Sequence, residues 1–332
     1  MVMVSSTDQI HQRILASVRE SETDAGHKLG FRAMGTWCQF TFTPPSPKAG
    51  KTFATNALRW VAEFEARYSR FVPDSLISRI NAAAGRDWVE VDAGTDQVFS
   101  LCSELVFFTR GVFDPTALPL IALWNWKASP PVVPTDDAVR AARELVGWDK
   151  VQRRPGAIFL PVAGMCLDLG GIGKEYAVDC AVAVAQQHGV TDVLVDFGQD
   201  VRAMGQPPQR DAWCVGLEDP SQPGNCWAGV AVRIMAVASS GDYLRYFEAN
   251  GRRYGHILDP RSGYPVWNGC RSVTVIAPSC TVAGVLSTTG FVVGAEEGIK
   301  LIEGYQGAEG CILTAKSRFQ TRRFTSYVVQ ES

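Results

Sequence analysis

The sequence predicts an α+β protein that contains both hairpins and crossover connections. Residues 31–43 alternate apolar and polar side chains and are rich in aromatic residues and threonine, which is typical of a strand. Apolar side chains then recur at helical spacing at Phe53, Ala57, Val61, Phe64 and Tyr68. Farther along, Asn250-Gly251 is a strong signal for a tight hairpin turn. These three patterns together predict the mixed fold class.

Further elements follow in chain order. Helices are predicted from capping residues and apolar stripes at 75–81, 96–108 and 138–146, the last between an N-cap at Thr135 and a C-cap at Gly147. A short strand is expected to end at Asp168, followed by a helix over 174–188 and a buried strand over 190–196. Strand-like segments at 230–237 and 271–277, two helices near Ala283 and Glu296, and a final pair of strands complete the pattern.

The composition narrows the classes of function. The chain has 332 residues, of which 46% are hydrophobic and 20% charged, as in ordinary globular proteins. The net charge is -2 and no arginine-rich tract occurs, so we expect no nucleic-acid partner. No run of about 18 apolar residues is present, so no membrane span is expected.

The N-terminus and the cysteines predict a cytoplasmic protein. Residues 1–29 lack the apolar run and cleavage site of a signal peptide, so we interpret them as a leader that is partly helical or disordered. Nine cysteines, none of them in a CxxC pair, favour a reducing compartment, and zinc-ribbon spacings are absent.

The most informative local feature is the glycine loop Asp168-Leu-Gly-Gly-Ile-Gly-Lys174. Glycines let the backbone approach a ligand closely, and a helix N-terminus favours phosphate. The loop is not a Walker A motif, because Glu175 stands where that motif needs Ser or Thr. It is not a dinucleotide fingerprint either, because Tyr176 stands where that motif needs Gly. Asp168 either accepts a hydrogen bond from a ligand or is simply a turn residue. Lys174 either lies near a phosphate of the ligand or is simply solvated.

Two more polar clusters are candidates for chemistry. After the hairpin at 250–251, a strand carries His256 and Asp259 into a Pro/Gly turn, and a histidine near a carboxylate suits proton transfer. A simple turn-capping role for His256 remains open. The hydroxyl-rich helix start at 279–289 offers ligands for a hard cation, although such residues more often cap helices. The dipeptide Asp114-Pro115 with Thr116 indicates a turn.

Taken in order, these segments resemble the FAD:protein FMN transferases, the ApbE family. The matching pieces are Met34-Gly-Thr36, Ser69-Arg70-Phe71 with 75–81, 111–116, 168–179, Asp196-Phe-Gly198-Gln-Asp200, 239–242, 256–263 and 281–288. The resemblance covers about residues 30 to 328. Eight short pieces in the family's order make coincidence very improbable.

The resemblance implies a single T-fold-like α+β domain over 30–328, with mixed or antiparallel sheets, flanking helices, an FAD cleft between its halves and a short tail at 329–332. It also implies transfer of FMN from FAD, with Mg²⁺, to a threonine or serine of a target flavoprotein, and release of AMP. By resemblance, the FAD-contacting positions are Met34, Phe71, Val112, Phe113, Asp114, Asp168, Lys174 and Ile257. The implied metal positions are Gly171, Ser287 and Thr288, and His256 with Asp259 is the candidate proton acceptor and its orienting group.

Two residues depart from the family pattern. Gly284 stands where the resemblance implies a metal-binding aspartate, and Glu175 stands where many relatives carry glycine. Mg²⁺ prefers charged oxygen ligands, so Gly284 predicts weaker metal binding unless Glu175 replaces the charge, and Gly284→Asp is expected to tighten it. A helix-start glutamate is also simply a partner of the helix dipole. Transfer, FAD binding without transfer, and Mg²⁺-dependent FAD hydrolysis therefore stay open as functions.

Overall fold

The computed structural model describes residues 5–243 and 245–329. The first strands are β1 (Arg19–Thr23), β2 (Gly26–Ala33), β3 (Thr36–Thr43), β4 (Val89–Glu90), β5 (Gln152–Arg154), β6 (Ala157–Phe159), β7 (Asp192–Phe197), β8 (Asp200–Met204), β9 (Trp213–Glu218) and β10 (Cys226–Val232). The remaining strands are β11 (Ala236–Gly241), β12 (Tyr246–Ala249), β13 (Arg252–Gly255), β14 (Leu258–Asp259), β15 (Tyr264–Pro265), β16 (Cys270–Ala277), β17 (Glu309–Thr314), β18 (Arg318–Gln320) and β19 (Val328–Val329).

Helices flank these strands. They are α1 (Ser6–Ala16), α2 (Pro47–Tyr68), α3 (Leu76–Ala82), α4 (Ala93–Phe108), α5 (Leu118–Trp124), α6 (Asp136–Glu144), α7 (Gly173–Gln187), α8 (Cys280–Val293) and α9 (Ala295–Glu303). Short 3-10 helices lie at Trp148–Lys150 and Phe324–Ser326. In the described residues no helix is both long enough and apolar enough to cross a membrane.

A nine-stranded sheet organises the fold. Its strand order is β1-β2-β3-β7-β8-β11-β16-β17-β18, and neighbouring strands pair antiparallel. Smaller sheets have the orders β19-β10-β9 and β4-β6-β5, and β12-β13 and β14-β15 form two hairpins. The predicted α+β class with antiparallel sheets and flanking helices is confirmed.

The main core lies between the large sheet and the helices that cover it. Aromatic side chains of β2, β3 and β7 pack against α2, with Phe31, Phe40, Phe42, Phe53 and Phe197 all fully buried. Apolar residues of α7 and α8 join the same cluster. A separate cluster joins α5 and α6 to the hairpin segment 246–264 through Trp124, Val139, Phe247 and Leu258. The hairpin segment therefore has a small core of its own.

The structure divides the predicted strand 31–43 into two. β2 ends at Ala33 and β3 begins at Thr36, with Met34 at φ 48° and Gly35 at φ 74° between them. Two consecutive residues with positive φ are typical of a type I′ hairpin turn, which matches the twist of the flanking strands. The backbone N–H of Met34 donates to the buried carboxylate of Glu65, 2.9 Å away, and this bond fixes the turn against α2.

The segment expected to be a loose leader belongs to the folded body in its described part. Residues 6–16 form α1, as a partly helical leader predicts, but Ile10 and Ile14 are buried in the main core. Residues 19–29 form β1 and the start of β2 at one edge of the large sheet. The folded domain thus begins well before residue 30. Residues 1–4 and the tail residues 330–332 lie outside the described residues.

Three other local predictions need correction. Residues 165–168 form no strand, and the side chain of Asn81 instead takes both backbone groups of Leu167. Residues 230–237 span the end of β10 and the start of β11, which lie in different sheets. Helix α6 ends at Glu144, and its C-cap is Leu145 and not Gly147. The helices predicted at 75–81, 96–108, 174–188, Ala283 and Glu296, and the hairpin at 250–251, are confirmed to within a few residues.

Candidate active site

The glycine loop is held in shape by Asp168. Its Oδ1 accepts from the N–H of Gly170 at 2.9 Å, and its Oδ2 accepts from the Nε of Arg70 at 3.0 Å. The N–H of Asp168 donates to the carbonyl of Pro115 at 2.8 Å, which ties the loop to the segment 111–116. The turn role predicted for Asp168 is therefore confirmed, and Arg70 neutralises its charge.

The loop ends at an uncapped helix. Helix α7 begins at Gly173, and its N-cap residue Ile172 makes no side-chain capping bond. A β-carbon added at Gly171 would lie 3.3 Å from the Cε2 of Phe113, so glycine lets the loop pass close to this ring. The loop thus brings the N-terminal end of a 15-residue helix to an aromatic surface. Such an end attracts anions, because its first N–H groups have no partner within the helix.

Lys174 is not a free cation at this helix end. Its Nζ forms an ion pair with the buried carboxylate of Asp200 at the start of β8. The same Nζ lies 3.6 Å from Oε1 of Glu175. The solvated lysine considered from the sequence is ruled out by these contacts, and its charge is largely matched by Asp200.

Glu175 and Gly284 face one another across the contact between α7 and α8. A β-carbon added at Gly284 would lie 2.6 Å from Cγ, 3.2 Å from Cδ and 3.3 Å from Oε1 of Glu175. The glutamate side chain therefore fills the space that an aspartate at 284 would need. The expectation that Gly284→Asp alone tightens metal binding does not fit this geometry, because the new side chain collides with Glu175.

A chain of hydroxyl groups runs along the same face of α8. The Oγ of Ser240, on β11, lies 2.9 Å from both Ser287 Oγ and Thr288 Oγ1. Ser287 donates to the carbonyl of Gly284 at 2.9 Å. Since each hydroxyl has one proton, the order of donation is Thr288 to Ser240 to Ser287 to the carbonyl of Gly284. Three neutral oxygens are thus gathered beside Gly284.

Asp179 sets the position of α8 on α7. Its Oδ1 accepts from the N–H of Cys280 at 2.8 Å and pairs with Arg202 at 2.7 Å. Its Oδ2 accepts from the N–H and the hydroxyl of Thr281 at 2.9 Å and 2.7 Å. Because Glu175 precedes Asp179 by one turn and Gly284 follows Cys280 by one turn, this cap determines which residues of the two helices meet.

His256 is held as a neutral base. Its Nδ1 lies 3.2 Å from the carbonyl oxygen of Arg245, which can only accept, so Nδ1 carries the proton and Nε2 keeps a lone pair. Burial lowers the pKa of His256 to about 4, and the positive charge of Arg245 contributes in the same direction. The imidazole is therefore neutral at pH 7 with Nε2 able to accept a proton.

The structure does not support the predicted pairing of His256 with Asp259. Both carboxylate oxygens of Asp259 bind Arg261, through its backbone N–H and its guanidinium at 2.8 to 3.2 Å. No hydrogen bond joins Asp259 to His256 in the part of the chain that the structure describes. The orienting group of His256 is the carbonyl of Arg245, and Arg261 has taken the carboxylate because it is only two residues away.

Asp114 organises its own loop. It accepts from the N–H and the hydroxyl of Thr116 at 2.8 Å and 2.6 Å, and from the N–H of Trp148 at 3.1 Å. Burial raises the pKa of Asp114 above its ordinary value despite these bonds. Val112, two residues before Asp114, is buried in the main core, and so is Ile257. These two predicted FAD positions therefore form part of the buried lining behind the site.

Contacts between segments bring the predicted positions into one region. A β-carbon added at Gly111 would lie 4.0 Å from the Cγ of Arg261, and Phe113 packs on Gly171. Asp242, two residues after Ser240, packs against Gly255, next to His256. Phe71 is 73% exposed, with the guanidinium of Arg70 4.1 Å from its ring centre. An exposed aromatic ring, a helix N-terminus, a hydroxyl cluster and a neutral histidine are thus linked through short chain segments.

Sequence reasoning missed several partners in this region. They are Arg70 on Asp168, Asp200 on Lys174, Ser240 on the α8 hydroxyls and Asp179 at the start of α8. All four lie in segments that carry the resemblance, so their place in those segments was the available signal. Their partners are far away in sequence, and only the packing of the sheet and helices brings them together.

Comparison with known proteins identifies the family of this chain. The model of the ApbE family matches residues 34–312. The FAD:protein FMN transferase of Vibrio cholerae is 31% identical over 274 residues, covering 79% of each chain, and that of Treponema pallidum is 33% identical over 264 residues, covering 74% of this chain and 72% of the relative.

Solved structures show the same likeness. The flavin transferase ApbE from Vibrio cholerae superposes with a TM-score of 0.82 at 27% identity, over 93% of this chain and 99% of that one. The ApbE protein from Thermotoga maritima superposes with a TM-score of 0.82 at 29% identity, over 95% of this chain and all of that one. The extent of the family match, together with the agreement in fold, establishes that this chain belongs to the ApbE family.

Proposed function

We propose that this protein transfers the FMN part of FAD to a hydroxyl group of a target flavoprotein and releases AMP. The observation that carries the proposal is the junction at the start of α7. There an uncapped helix end, reached through three glycines, lies beside a carboxylate and a chain of hydroxyls. That donor set suits a diphosphate with a hard cation. The similar proteins from Vibrio cholerae and Treponema pallidum, named FAD:protein FMN transferases, support the assignment.

FAD is proposed to lie along the glycine loop and the segment 111–116. The exposed ring of Phe71 and the ring of Phe113 offer flat apolar surfaces for the flavin. Met34, at the turn between β2 and β3, is proposed as a further FAD contact because the family resemblance implies it. Asp114 and Asp168 act mainly on the loops, because their oxygens already accept protein hydrogen bonds. Lys174 and Asp200 contribute a balanced charge pair next to the diphosphate.

The residues present fit a magnesium ion. Glu175 has a buried carboxylate oxygen without a partner among the described residues, and Ser287 and Thr288 add neutral oxygens from α8, on the side where Gly284 faces Glu175. When bound, Mg²⁺ would neutralise the closely spaced negative charges of the diphosphate.

His256 is the proposed proton acceptor. The hydroxyl oxygen of the acceptor residue forms a bond to the FMN-side phosphorus, and the bond from that phosphorus to the bridging oxygen breaks, so AMP leaves with the bridging oxygen. The hydroxyl proton passes to Nε2 of His256, which is free because Nδ1 is fixed by Arg245. The negative charge of bound FAD raises the basicity of this imidazole toward neutral pH.

We also propose a cytoplasmic location. The described structure contains nine cysteines and pairs none of them in a disulfide, which agrees with a reducing compartment. Fractionation of the source cells, followed by blotting, tests this directly.

The activity is tested with purified protein, FAD, Mg²⁺ and a threonine-bearing target domain. A covalent FMN adduct, seen by mass spectrometry and in-gel fluorescence, is expected on the target and not on its Thr→Ala form. Release of AMP and free FMN without an adduct would replace transfer by FAD hydrolysis. Unchanged FAD in the presence of metal would contradict both activities.

A further inference from the structure

The most informative departure of this chain from its family is the pair Glu175 and Gly284. We propose that Glu175 supplies the anionic ligand of the metal site from α7, in place of the aspartate that the family resemblance implies at position 284 on α8. This inference rests on the proposed function for the identity of the site, but it concerns metal binding and is tested without turnover.

The first argument is the shared volume. The Cδ and Oε1 of Glu175 lie 3.2 Å and 3.3 Å from the point where a β-carbon of residue 284 would be. A carboxylate on residue 284 and the carboxylate of Glu175 therefore compete for one space. Gly284 accommodates Glu175, and Glu175 fills the space that Gly284 opens.

The second argument is the state of the carboxylate. The side chain of Glu175 is only 12% exposed, and its Oε2 is buried without a hydrogen-bond partner among the described residues. Its Oε1 is 3.6 Å from Lys174, whose ammonium is already paired with Asp200. A buried carboxylate oxygen without a donor is costly, and a hard cation is the partner that removes the cost.

The third argument is the position of the neutral donors. Ser287 and Thr288 lie three and four residues after Gly284, so they share its face of α8. Ser240 holds both hydroxyls from β11. Asp179 fixes the two helices so that Glu175 meets this face and no other. The carboxylate is therefore directed to the place where the hydroxyls are gathered.

A favourable interaction with the dipole of α7 is the simpler explanation of Glu175. It accounts for an acidic residue in the first turn, but it gives no reason for Glu175 to bury its carboxylate against Gly284. The two explanations also differ in a testable way: only metal ligation makes the effect of residue 175 on Mn²⁺ affinity depend on residue 284.

The test is a swap of the two positions. Mn²⁺ is titrated into the wild-type protein, E175Q, E175G, G284D and E175G/G284D, and bound metal is measured from the loss of the free Mn²⁺ signal in electron paramagnetic resonance. We expect E175Q and E175G to weaken binding by at least about tenfold. The double variant should return to within about threefold of wild type, and G284D alone should bind no more tightly than wild type, because of the collision with Glu175.

A matched control is E296Q, which removes an acidic residue from the first turn of α9, outside the site. It should bind Mn²⁺ as the wild type does. Equal affinities of wild type and E175Q, or no rescue in the double variant when circular dichroism shows it folded, would overturn the proposal, as would absence of Mn²⁺ binding to the wild type at millimolar concentration. Loss of the FMN-transfer proposal would leave these binding results unchanged, so the two failures are distinguishable.

Discussion

Two regions that meet at the proposed site are built in different ways. The first, which we name the helix wall, consists of Glu175 and Asp179 on α7 with Gly284, Ser287 and Thr288 on α8, and it packs on the main core. The second, the turn wall, consists of residues 242–263 without Leu244. It is carried mostly by two small hairpins and shares a separate cluster with α5 and α6.

The two walls differ in how far away in the sequence the partner of a side chain lies. In the helix wall, Glu175 fills the space beside Gly284 from the facing helix, because the two helices hold these positions in register. In the turn wall, side chains bind partners a few residues away, as Asp259 binds Arg261. Long-range contacts determine the first region and local contacts determine much of the second.

The largest effect is expected in the turn wall, and it concerns the rate of the reaction and not the stability of the fold. His256→Gln removes the proposed proton acceptor and should lower the rate of FMN transfer by about 10²- to 10⁴-fold. Because glutamine is close in size and can still donate to the carbonyl of Arg245, the urea midpoint at pH 7 should change little. His27→Gln, on β2 away from the site, is the matched control and should keep full activity. A full rate in His256→Gln would remove the histidine from the mechanism.

The next effect is expected in the helix wall, on stability. Asp179→Ala leaves the N–H groups of Cys280 and Thr281 and the guanidinium of Arg202 without their acceptor. We expect a loss of about 2–4 kcal/mol in the free energy of unfolding, measured by urea denaturation. Asp137→Ala on the exposed face of α6 should cost less than about 0.5 kcal/mol. Equal urea midpoints for the two variants would show that Asp179 does not stabilise the start of α8.

The third effect is a pH dependence of the free energy of unfolding that arises in the turn wall, from His256. The folded pKa of His256, about 4, is below the reference value of about 6.5, so the unfolded chain binds a proton over this window and the folded protein does not. Stability from this group is therefore complete above pH 6.5 and falls as the pH drops toward 4. Between pH 7 and 4.5 the wild type should lose about 2 kcal/mol more than His256→Gln. Parallel losses in both proteins would place the titration elsewhere.

The smallest effect is expected at Asp259. Since His256 is held by the carbonyl of Arg245 and Asp259 by Arg261, Asp259→Asn should change the rate of transfer by less than about fivefold. The measurement is the initial rate of adduct formation at saturating FAD. A loss as large as that of His256→Gln would restore the orienting role that the sequence suggested.

Predictability from sequence follows the same division. Helices α3, α4, α7, α8 and α9 were predictable because apolar spacing and caps such as Ser75 are local signals. The turn at Met34 and Gly35 was missed because alternation continues across it, and only the φ values distinguish one strand from two. The strand predicted to end at Asp168 was wrong because Asn81, from a distant segment, occupies the backbone groups of Leu167.

The candidate site divides likewise. The residue types at His256, Ser287 and the glycine loop were visible in the sequence, since they form short motifs. Their partners were not, because Glu175 meets Gly284 and Asp179 meets Thr281 only through packing of two helices about 100 residues apart. The partner of Asp259 was missed for the opposite reason. Arg261 is only two residues away, so the sequence showed it, but its ability to bind Asp259 in place of His256 was overlooked.

The turn wall leaves the large sheet after β11 and returns to it at β16, and these two strands are themselves hydrogen-bonded neighbours. The chain thus departs from the sheet and re-enters it at the same place, so the sheet needs nothing from the detour to stay closed. We therefore expect changes of length or composition between 246 and 264 to leave the register of β11 and β16 intact. The part of the molecule that carries His256 is constrained less by the sheet than the helices that hold Glu175 are by the core.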